Sequence, residues 1–380
     1  MTNDPVMFHN PLIIGPAPSL TEAWNNTPTR AMHKLGLNTG NMLFAAGIQA
    51  ALSRGKEKAK VYSVTELEAH RTGADCIVIA AANWLSARSD LENLARQIEA
   101  SGLPCVMIGI GAQSTSDSLI PELSAGTRRF LSVVSERSHS ISTRGTFSAE
   151  VCAHYGIRNV EVTGCPSLLM RGATPAPIAA PAGPPRAITI SGSRGLADPK
   201  QITSRQEGQR LSRLMGRIML SDTVDFLAQA EMPEINLLCA DQFKPEPRQP
   251  QWQPFLEEYY GQPLEGLLPV IKSRMKVFFN LKDWLAYLRG RDLMIGTRLH
   301  GTIAGLLAGT PSVLITHDSR TAEMAREMAI PSVKSTTITD TIPYEAICET
   351  LDFAELDTRH PVYYERFRAF FAANGLSTSL

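Results

Sequence analysis

The sequence lacks the features that mark membrane-spanning, secreted and nucleic-acid-binding proteins. Its apolar runs, such as residues 76–82 and 106–112, have the length of strands and fall well short of the roughly 20 residues that span a bilayer. Residues 1–20 lack the basic start and long apolar core of a secretory signal. Basic and acidic residues number 37 each, so no basic footprint for a nucleic acid is visible. We therefore expect a cytoplasmic protein with no nucleic-acid partner, in which any contact with a membrane would be peripheral.

Closely spaced cysteines are also missing. None of the six cysteines forms a CxxC pair, and several lie in apolar runs, where a free thiol packs as a small hydrophobic group. The six are Cys76, Cys105, Cys152, Cys165, Cys239 and Cys348. The spacing predicts buried free thiols rather than disulfides or a zinc site, and no other metal-ligand cluster is recognisable.

The chain is long enough, at 380 residues, for two domains. Apolar strand-like runs alternate with helical patterns through its first half, which is typical of a parallel, doubly wound sheet. The predicted strands there are 11–15, 76–80, 104–110 and 159–163, and the predicted helices are 42–52, 90–101 and 147–155.

A proline- and alanine-rich segment, residues 171–186, separates this half from a second alternating series. The second series predicts strands at 187–191, 234–239, 293–295 and 312–316, helices at 212–230 and 281–290, and a helical tail at 344–374. Residues 242–264 are predicted to be irregular, with aromatic side chains that either pack locally or face a sugar. The predicted fold is α/β, with two doubly wound, Rossmann-like domains facing a cleft: domain 1–170, linker 171–186, domain 187–345 and a tail, 346–380, that packs across the domain boundary.

The second series is organised around residues 292–311. A short buried strand ends at Gly296, and a helix follows, so Arg298 and His300 stand at the carboxyl end of a strand and the start of a helix. Unpaired backbone N–H groups and the helix dipole favour an anion at this place. The alternative is that Arg298 pairs with a nearby carboxylate and His300 only caps the helix.

Other polar residues follow predicted strands of both domains. The carboxyl ends of parallel strands share one edge of a sheet, so two such edges facing a cleft would bring these residues together. They are Asn38, Asn41, Gln113 and Arg144 in the first domain and Arg194, Arg298 and His300 in the second.

The same segments resemble the polysaccharide pyruvyl transferase family. The most specific is Gly-Thr-Arg-Leu-His-Gly at 296–301, followed by Gly-Thr-Pro at 309–311 and Thr-His-Asp-Ser-Arg at 316–320. Weaker matches in family order are 38–41, 109–113, 142–148 and 162–167. The resemblance implies a fold like the two-domain GT-B glycosyltransferases. It also implies transfer of a pyruvyl group from phosphoenolpyruvate onto two hydroxyls of a sugar, which forms a cyclic ketal and releases phosphate.

Chemistry and resemblance together give the candidate site. Arginines offer forked contacts to the carboxylate and phosphate of the donor, and a histidine suits one of the proton transfers. The catalytic candidates are His300, as general acid or base, and Arg298, Arg144 and Arg320. The substrate-binding candidates are Asn38, Gly40, Asn41, Asn83, Gln113, Arg194, Leu299 and Gly301. The first domain is predicted to bind the acceptor sugar and the second the donor, with no metal and no cofactor besides phosphoenolpyruvate as donor substrate.

Two departures from the family pattern are visible. Ala-Ala-Ala-Asn at 80–83 replaces the usual glycine-rich turn, and Arg320 stands where a lysine is common. Two alternatives remain: a glycosyltransferase of GT-B type that uses a nucleotide sugar, and a non-catalytic sugar-phosphate binding protein. The acceptor sugar and its carrier, the ketal stereochemistry and the oligomeric state leave no mark in the sequence.

Overall fold

The computed structural model describes residues 6–55, 57–114, 119–192, 202–221 and 223–380. The first half contains a parallel sheet with strands in the order β2-β1-β3-β4, and a bridge between Ile110 and Thr143 continues it to the pair β5-β6. The strands are β1 Pro11–Ile14, β2 Val61–Tyr62, β3 Cys76–Ala80, β4 Cys105–Ile108, β5 Ile141–Thr143 and β6 Val160–Val162. The strand order reverses between β1 and β3, which makes this a doubly wound sheet.

The second half contains six parallel strands in the order β12-β11-β10-β7-β8-β9. They are β7 Ile188–Ser191, β8 Asp225–Leu227, β9 Met275–Lys276, β10 Leu293–Gly296, β11 Ser312–Thr316 and β12 Ser332–Lys334. Counted from β7, the order is 3-2-1-4-5-6, that of the dinucleotide-binding Rossmann sheet. The predicted fold, α/β with two Rossmann-like domains, is confirmed. In the sequence, the strands of the first sheet precede the segment 171–186 and those of the second sheet follow it.

Helices connect the strands and cover the sheets. Those of the first half are α1 Pro28–Lys34, α2 Asn41–Leu52, α3 Leu67–His70, α4 Glu92–Ser101, α5 Ala125–Glu136 and α6 Thr146–His154. Those of the second half are α7 Ile202–Ser221, α8 Met232–Cys239, α9 Trp252–Tyr260, α10 Leu264–Arg274, α11 Leu281–Arg289, α12 Leu299–Ala308, α13 Ser319–Glu327, α14 Tyr344–Glu349 and α15 Ala354–Ala373. A 3₁₀ helix, Pro166–Arg171, follows β6. All six cysteines are buried and free, as predicted.

The sequence-based prediction is wrong between residues 212 and 264. The structure has α7 ending at Ser221, β8 where the helix was expected to continue, and α8 in place of the strand 234–239. Pro233 in the first turn favours a helix, and the apolar run after it fits a buried helix as well as a strand. Within the segment expected to be irregular, α9 forms, and its Tyr259 and Tyr260 pack locally, their rings 4.7 Å apart.

The C-terminal helix α15 packs across the boundary between the halves, as predicted. The hydroxyl of Tyr363 donates to the carbonyl of Cys165 at 2.5 Å, and Arg366 donates to the carbonyl of Val162 at 3.1 Å. The loop before α1 crosses in the other direction, because the amide of Leu20 donates to the carbonyl of Phe279. One hydrophobic core cluster accordingly contains residues of both sheets. The limits of the two domains in the sequence stay a prediction.

Candidate active site

The second sheet has its topological switch point between β7 and β10. From here the chain winds toward β8 on one side and toward β11 on the other, which opens a crevice at the carboxyl ends of the two central strands. Arg298 is the N-cap residue of α12, and its Nε donates to the carbonyl of Gly192, the residue after β7, at 3.1 Å. The guanidinium of Arg298 therefore spans the switch point.

Glycines set how closely α12 approaches the sheet. A Cβ at Gly305 would lie 2.0 Å from Oγ of Ser312 and 3.0 Å from Cβ of Met294. A Cβ at Gly301 would lie 2.6 Å from Oγ of Ser191. These positions exclude any side chain, so the glycines hold the first turn of α12, and His300 within it, against the ends of the central strands.

Arg144 is a buried cation held by neutral oxygens. It follows β5 and is only 4% exposed. Its Nε donates to the carbonyl of Gly109 at 2.8 Å, its Nη2 to the carbonyl of Ala81 at 3.1 Å, and its Nη1 to Oδ1 of Asn83 at 3.2 Å. No carboxylate pairs with it among the described residues. A buried, uncompensated guanidinium is costly unless an anion joins it, so the geometry is that of an anion-binding group.

His300 lies next to Arg144 across the ring of Phe44. The Phe44 and His300 ring centroids are 5.7 Å apart, and Cζ of Arg144 is 5.2 Å from the Phe44 centroid. Nε2 of His300 is 3.5 Å from Sγ of Cys165, a buried residue between β6 and the 3₁₀ helix. The site thus combines an imidazole from the second domain with a guanidinium and a thiol from the first.

The environment keeps His300 neutral. Burial lowers the pKa of His300 well below 6.5, and the cations of Arg144 and Arg320 lower it further. Burial also lowers the pKa of Arg144, although a guanidinium stays protonated at any working pH. A bound anion between these groups would ease the repulsion among them. The electrostatics therefore favour a negatively charged ligand.

Arg298 is engaged by a carboxylate. Its Nη2 donates to Oε1 of Glu231, and the two side chains are 15% and 2% exposed. Oε2 of Glu231 in turn accepts hydrogen bonds from the amides of Gln229 and Ala230, at 2.7 and 3.0 Å. The pairing that the sequence left open as an alternative is thus present, and an anionic ligand at this place would share Arg298 with Glu231.

Arg320 is the second residue of α13 and is only partly engaged. Its Nη2 is 3.5 Å from Oδ2 of Asp318, and its buried Nε has no hydrogen-bond partner among the described residues. Burial raises the pKa of Asp318, but Arg320, His317 and hydrogen bonds from Thr321 outweigh it and bring the value to about 2. The guanidinium of Arg320 therefore still has N–H groups that can donate hydrogen bonds beside His300.

The two domains meet at Gly40. The amide of Thr39 donates to the carbonyl of Gln229 at 2.9 Å, and Oδ1 of Asn38 accepts from the amide of Gly40 at 2.9 Å. A Cβ at Gly40 would lie 2.6 Å from Oε1 of Gln229 and 2.8 Å from Cβ of His300. The loop Asn38 to Gly40 is therefore in direct contact with the helix start that carries His300.

The remaining predicted residues differ in their surroundings. Nδ2 of Asn41 donates to the carbonyls of Leu35 and Gly36 and so holds the loop before α2. Asn83 orients Arg144, as described above, and Gln113 is exposed. Leu299 is partly buried in the first turn of α12. Arg194 lies outside the described residues.

Sequence reasoning missed four residues of the site. Cys165 stands in one of the segments that carry the resemblance, but a thiol there suggested only a buried side chain. Phe44 is one apolar residue among many in α2. Gln229 and Glu231 fall in a segment whose secondary structure was wrongly predicted, so no partner for Arg298 could be named.

In the part of the chain that the structure describes, no group of three or more His, Cys, Asp or Glu side chains is arranged to hold a metal ion. No helix in the same residues is long and apolar enough to cross a membrane.

Comparison with known proteins gives one family match. The family model for polysaccharide pyruvyl transferases matches residues 38–319, a stretch that contains all the candidate residues except Arg320. No curated protein matches the chain. Solved structures similar to it include HepE of Anabaena with UDP and glucose, at 10% identity and a TM-score of 0.43 over 96% of this chain and 95% of that one. Another is the UDP-N-acetylglucosamine 2-epimerase of Rickettsia bellii, at 10% identity and a TM-score of 0.44 over 97% of each chain.

Proposed function

Because the chain belongs to the polysaccharide pyruvyl transferase family, as its sequence predicts, we propose that it uses phosphoenolpyruvate as donor. The pyruvyl group is transferred to two hydroxyls of one sugar in a cell-surface polysaccharide or its precursor. The product is a cyclic ketal, and phosphate is released. The reaction takes place in the cytoplasm and needs no cofactor, because arginines neutralise the donor.

The observation that carries this proposal is the state of Arg144. Its guanidinium is buried, bonded to three neutral oxygens and close to His300, and no carboxylate compensates it among the described residues. The donor carries a carboxylate and a phosphate, and Arg144 together with Arg320 supplies cations from both domains. Charge-assisted contacts of this kind are roughly twice as strong as neutral hydrogen bonds.

The chemistry needs one proton delivered to the methylene carbon of the donor while a sugar hydroxyl attacks the neighbouring carbon. His300 is in place for proton transfer, and such a group typically contributes about 10²- to 10⁴-fold in rate. Asn38 and Gly40 at the domain contact, and Asn83 beside Arg144, line the side from which an acceptor sugar would approach. Attack by a second hydroxyl then displaces phosphate and closes the ketal.

Phosphate release tests the proposal. The purified chain is incubated with phosphoenolpyruvate and a panel of free, nucleotide-linked and lipid-linked sugars, and phosphate and the mass of the sugar product are measured. We expect release only with an acceptor, and a product that has gained one ketal-linked pyruvyl group. His300→Ala is the control, since it should bind the donor without turnover.

Ligand-induced stabilisation separates this reaction from transfer of a nucleotide sugar. A ligand at 100 times its Kd stabilises the fold by about 2.7 kcal/mol, which raises the melting temperature. We expect phosphoenolpyruvate to do this, and a UDP-sugar to do so only if it is an acceptor that gains the ketal-linked pyruvyl group. Stabilisation by UDP-sugars alone, with no phosphate released from phosphoenolpyruvate, would replace the proposal by a glycosyltransferase activity. Binding of phosphoenolpyruvate without any turnover would indicate a binding protein.

A further inference from the structure

The thiol of Cys165 is held in place beside His300. Its Sγ is 3.5 Å from Nε2 of His300, and Oγ of Ser167 donates to the same sulfur at 3.2 Å. The backbone of Cys165 is fixed from the other side, because its carbonyl accepts from the hydroxyl of Tyr363. Cys165 and Ser167 are fully buried, so neither contact competes with bulk water.

These contacts have a direction. Ser167 donates its hydrogen to Sγ, and Nε2 of His300 is the other polar side-chain atom in contact with this sulfur among the described residues, so a thiol that donates its own hydrogen points it at Nε2. A neutral imidazole whose Nε2 accepts a hydrogen bond carries its own hydrogen on Nδ1. This arrangement leaves Nδ1 as a donor.

Nδ1 is also the ring nitrogen left for a ligand. Nε2 is taken by Cys165, and no hydrogen bond to Nδ1 is present among the described residues. A ring nitrogen that carries a hydrogen can give a proton but cannot accept one. The orientation of the ring therefore decides between the two roles, acid and base, that the sequence left open for His300.

We propose that Cys165 is a positioning residue that fixes His300 as the Nδ1–H tautomer, so that His300 acts as the proton donor. The identity of the proton acceptor rests on the proposed function: it is the methylene carbon of the enolpyruvyl group. The Nδ1 proton forms the new C–H bond as the thiol proton moves to Nε2, so the imidazole ends neutral and the sulfur ends as a thiolate. The proton lost by the attacking sugar hydroxyl restores the thiol, and no proton is gained or lost overall.

Arg144 suits the thiolate stage of this relay. Its guanidinium lies close enough to Cys165 for an ionised thiol to raise the pKa of Arg144, and it is not compensated by a carboxylate among the described residues. An opposite charge a few ångströms away stabilises an ionised group. The same cation thus serves the donor anion and the transient charge on Cys165.

Nitrogen NMR of the wild-type protein tests the tautomer without any substrate. The chain is labelled with ¹⁵N-histidine, His300 is assigned from the signal lost in His300→Gln, and the hydrogen on each ring nitrogen is read from long-range ¹H–¹⁵N correlations. We expect a neutral His300 ring with a hydrogen on Nδ1 and none on Nε2. A neutral ring with its hydrogen on Nε2 alone would overturn the proposal, whatever the protein catalyses.

Substitutions test whether Cys165 is the cause. In Cys165→Ala the tautomer preference should disappear and kcat should fall by about 10- to 10⁴-fold, the range known for loss of an orienting partner. The KM for phosphoenolpyruvate should change much less than kcat, and Cys165→Ser, which keeps a donor, should recover part of kcat.

Cys348→Ala removes a buried thiol from α14 and serves as the control. An unchanged tautomer or unchanged kcat in Cys165→Ala would contradict the role of Cys165. If no acceptor sugar supports turnover, the proposed function fails but the tautomer comparison still decides.

Discussion

Nη2 of Arg298 donates a hydrogen bond to Oε1 of Glu231, and both side chains are largely removed from solvent. The pair joins the N-cap of α12 to the segment between β8 and α8, so it bridges two neighbouring parts of the cleft wall. A contact of this kind gives Arg298 a structural role in addition to any role toward a ligand. Substitution of Arg298 must therefore be measured for stability as well as for binding.

We expect Arg298→Ala to lower the free energy of unfolding by about 3 kcal/mol, because it leaves the buried carboxylate of Glu231 without its cation. Urea denaturation measures this loss. The double variant Arg298→Ala/Glu231→Gln should recover part of it, since the neutral amide needs no counter-charge and can still accept from the amides of Gln229 and Ala230.

Arg368→Ala is the matched control for that experiment. Arg368 pairs with Glu365 on the exposed face of α15, with side chains 53% and 61% exposed, and should contribute at most about 1 kcal/mol. If the double variant recovers stability but not affinity for phosphoenolpyruvate, Arg298 contacts the donor as well. Recovery of both would leave Arg298 with a structural role alone.

The low pKa of His300 predicts a dependence of stability on pH. In the unfolded chain His300 takes up a proton near pH 6.5, whereas in the folded protein burial, Arg144 and Arg320 keep it neutral to well below that pH. The unfolded state therefore binds more protons below pH 6.5, and the folded state loses stability there by at most about 1.4 kcal/mol per pH unit. Above pH 6.5 this contribution is fully present.

Urea denaturation of the wild type and His300→Gln between pH 5.5 and 7.5 checks this dependence. The variant should lose less stability than the wild type on acidification. His360, whose pKa is also lowered by burial, contributes equally to both proteins and cancels in the difference. Parallel curves for the two proteins would show that His300 titrates alike in the folded and unfolded states.

The contact between the domains at Gly40 can be tested by adding one methyl group. Gly40 has φ −59°, which any residue adopts, so Gly40→Ala introduces no backbone strain. Its Cβ would approach Gln229 Oε1 and Cβ of His300 closer than real contacts allow. We expect a loss of about 1–3 kcal/mol in stability from overpacking and a fall of about 10²-fold in kcat/KM from the displaced His300.

Gly183→Ala is the control for Gly40→Ala. No atom lies within 4 Å of a Cβ at Gly183, so stability and turnover should both stay near the wild-type values. Circular dichroism melts and steady-state kinetics measure both variants. Wild-type kinetics in Gly40→Ala would mean that the domain contact yields without moving His300.

The sequence predicts local structure well where an apolar run fits only one kind of secondary structure. The strand Cys76–Ala80 and the strand Ser312–Thr316 have the predicted limits. The first follows the polar Asp75, and the second lies between Pro311 and the polar His317. Between residues 212 and 239 the same method fails. A short apolar run after Pro233 fits a buried helix and a buried strand equally, and only pairing of β8 with β7 and β9 decides.

The site was predictable to the extent that it lies in contiguous segments. Arg298 and His300 follow one strand, so their position at the sheet edge follows from the local pattern. The contact between Cys165 and His300 joins residues 135 positions apart and depends on how the two sheets pack. The partner of Arg298 likewise depends on packing, because Glu231 belongs to a different βα unit. The periodicity of apolar residues along the chain carries no information about which distant residues come into contact.

Arg320 provides the last test, since it stands where the family commonly has lysine. Its Nη2 contacts Asp318, and its buried Nε has no partner among the described residues, so the guanidinium has hydrogens left for a donor anion. We expect Arg320→Ala to raise the KM for phosphoenolpyruvate by about 10- to 100-fold, the value of one hydrogen bond to a charged group, and Arg320→Lys to retain part of the affinity. The variant should also raise the pKa of Asp318 from about 2, so the stability that this carboxylate provides above pH 3.8 would be smaller and its loss on acidification would be complete at a higher pH. Arg326→Ala on the same helix, where the side chain is 60% exposed, should change neither quantity. Near-normal kinetics in Arg320→Ala would reduce Arg320 to a surface charge paired with Asp318.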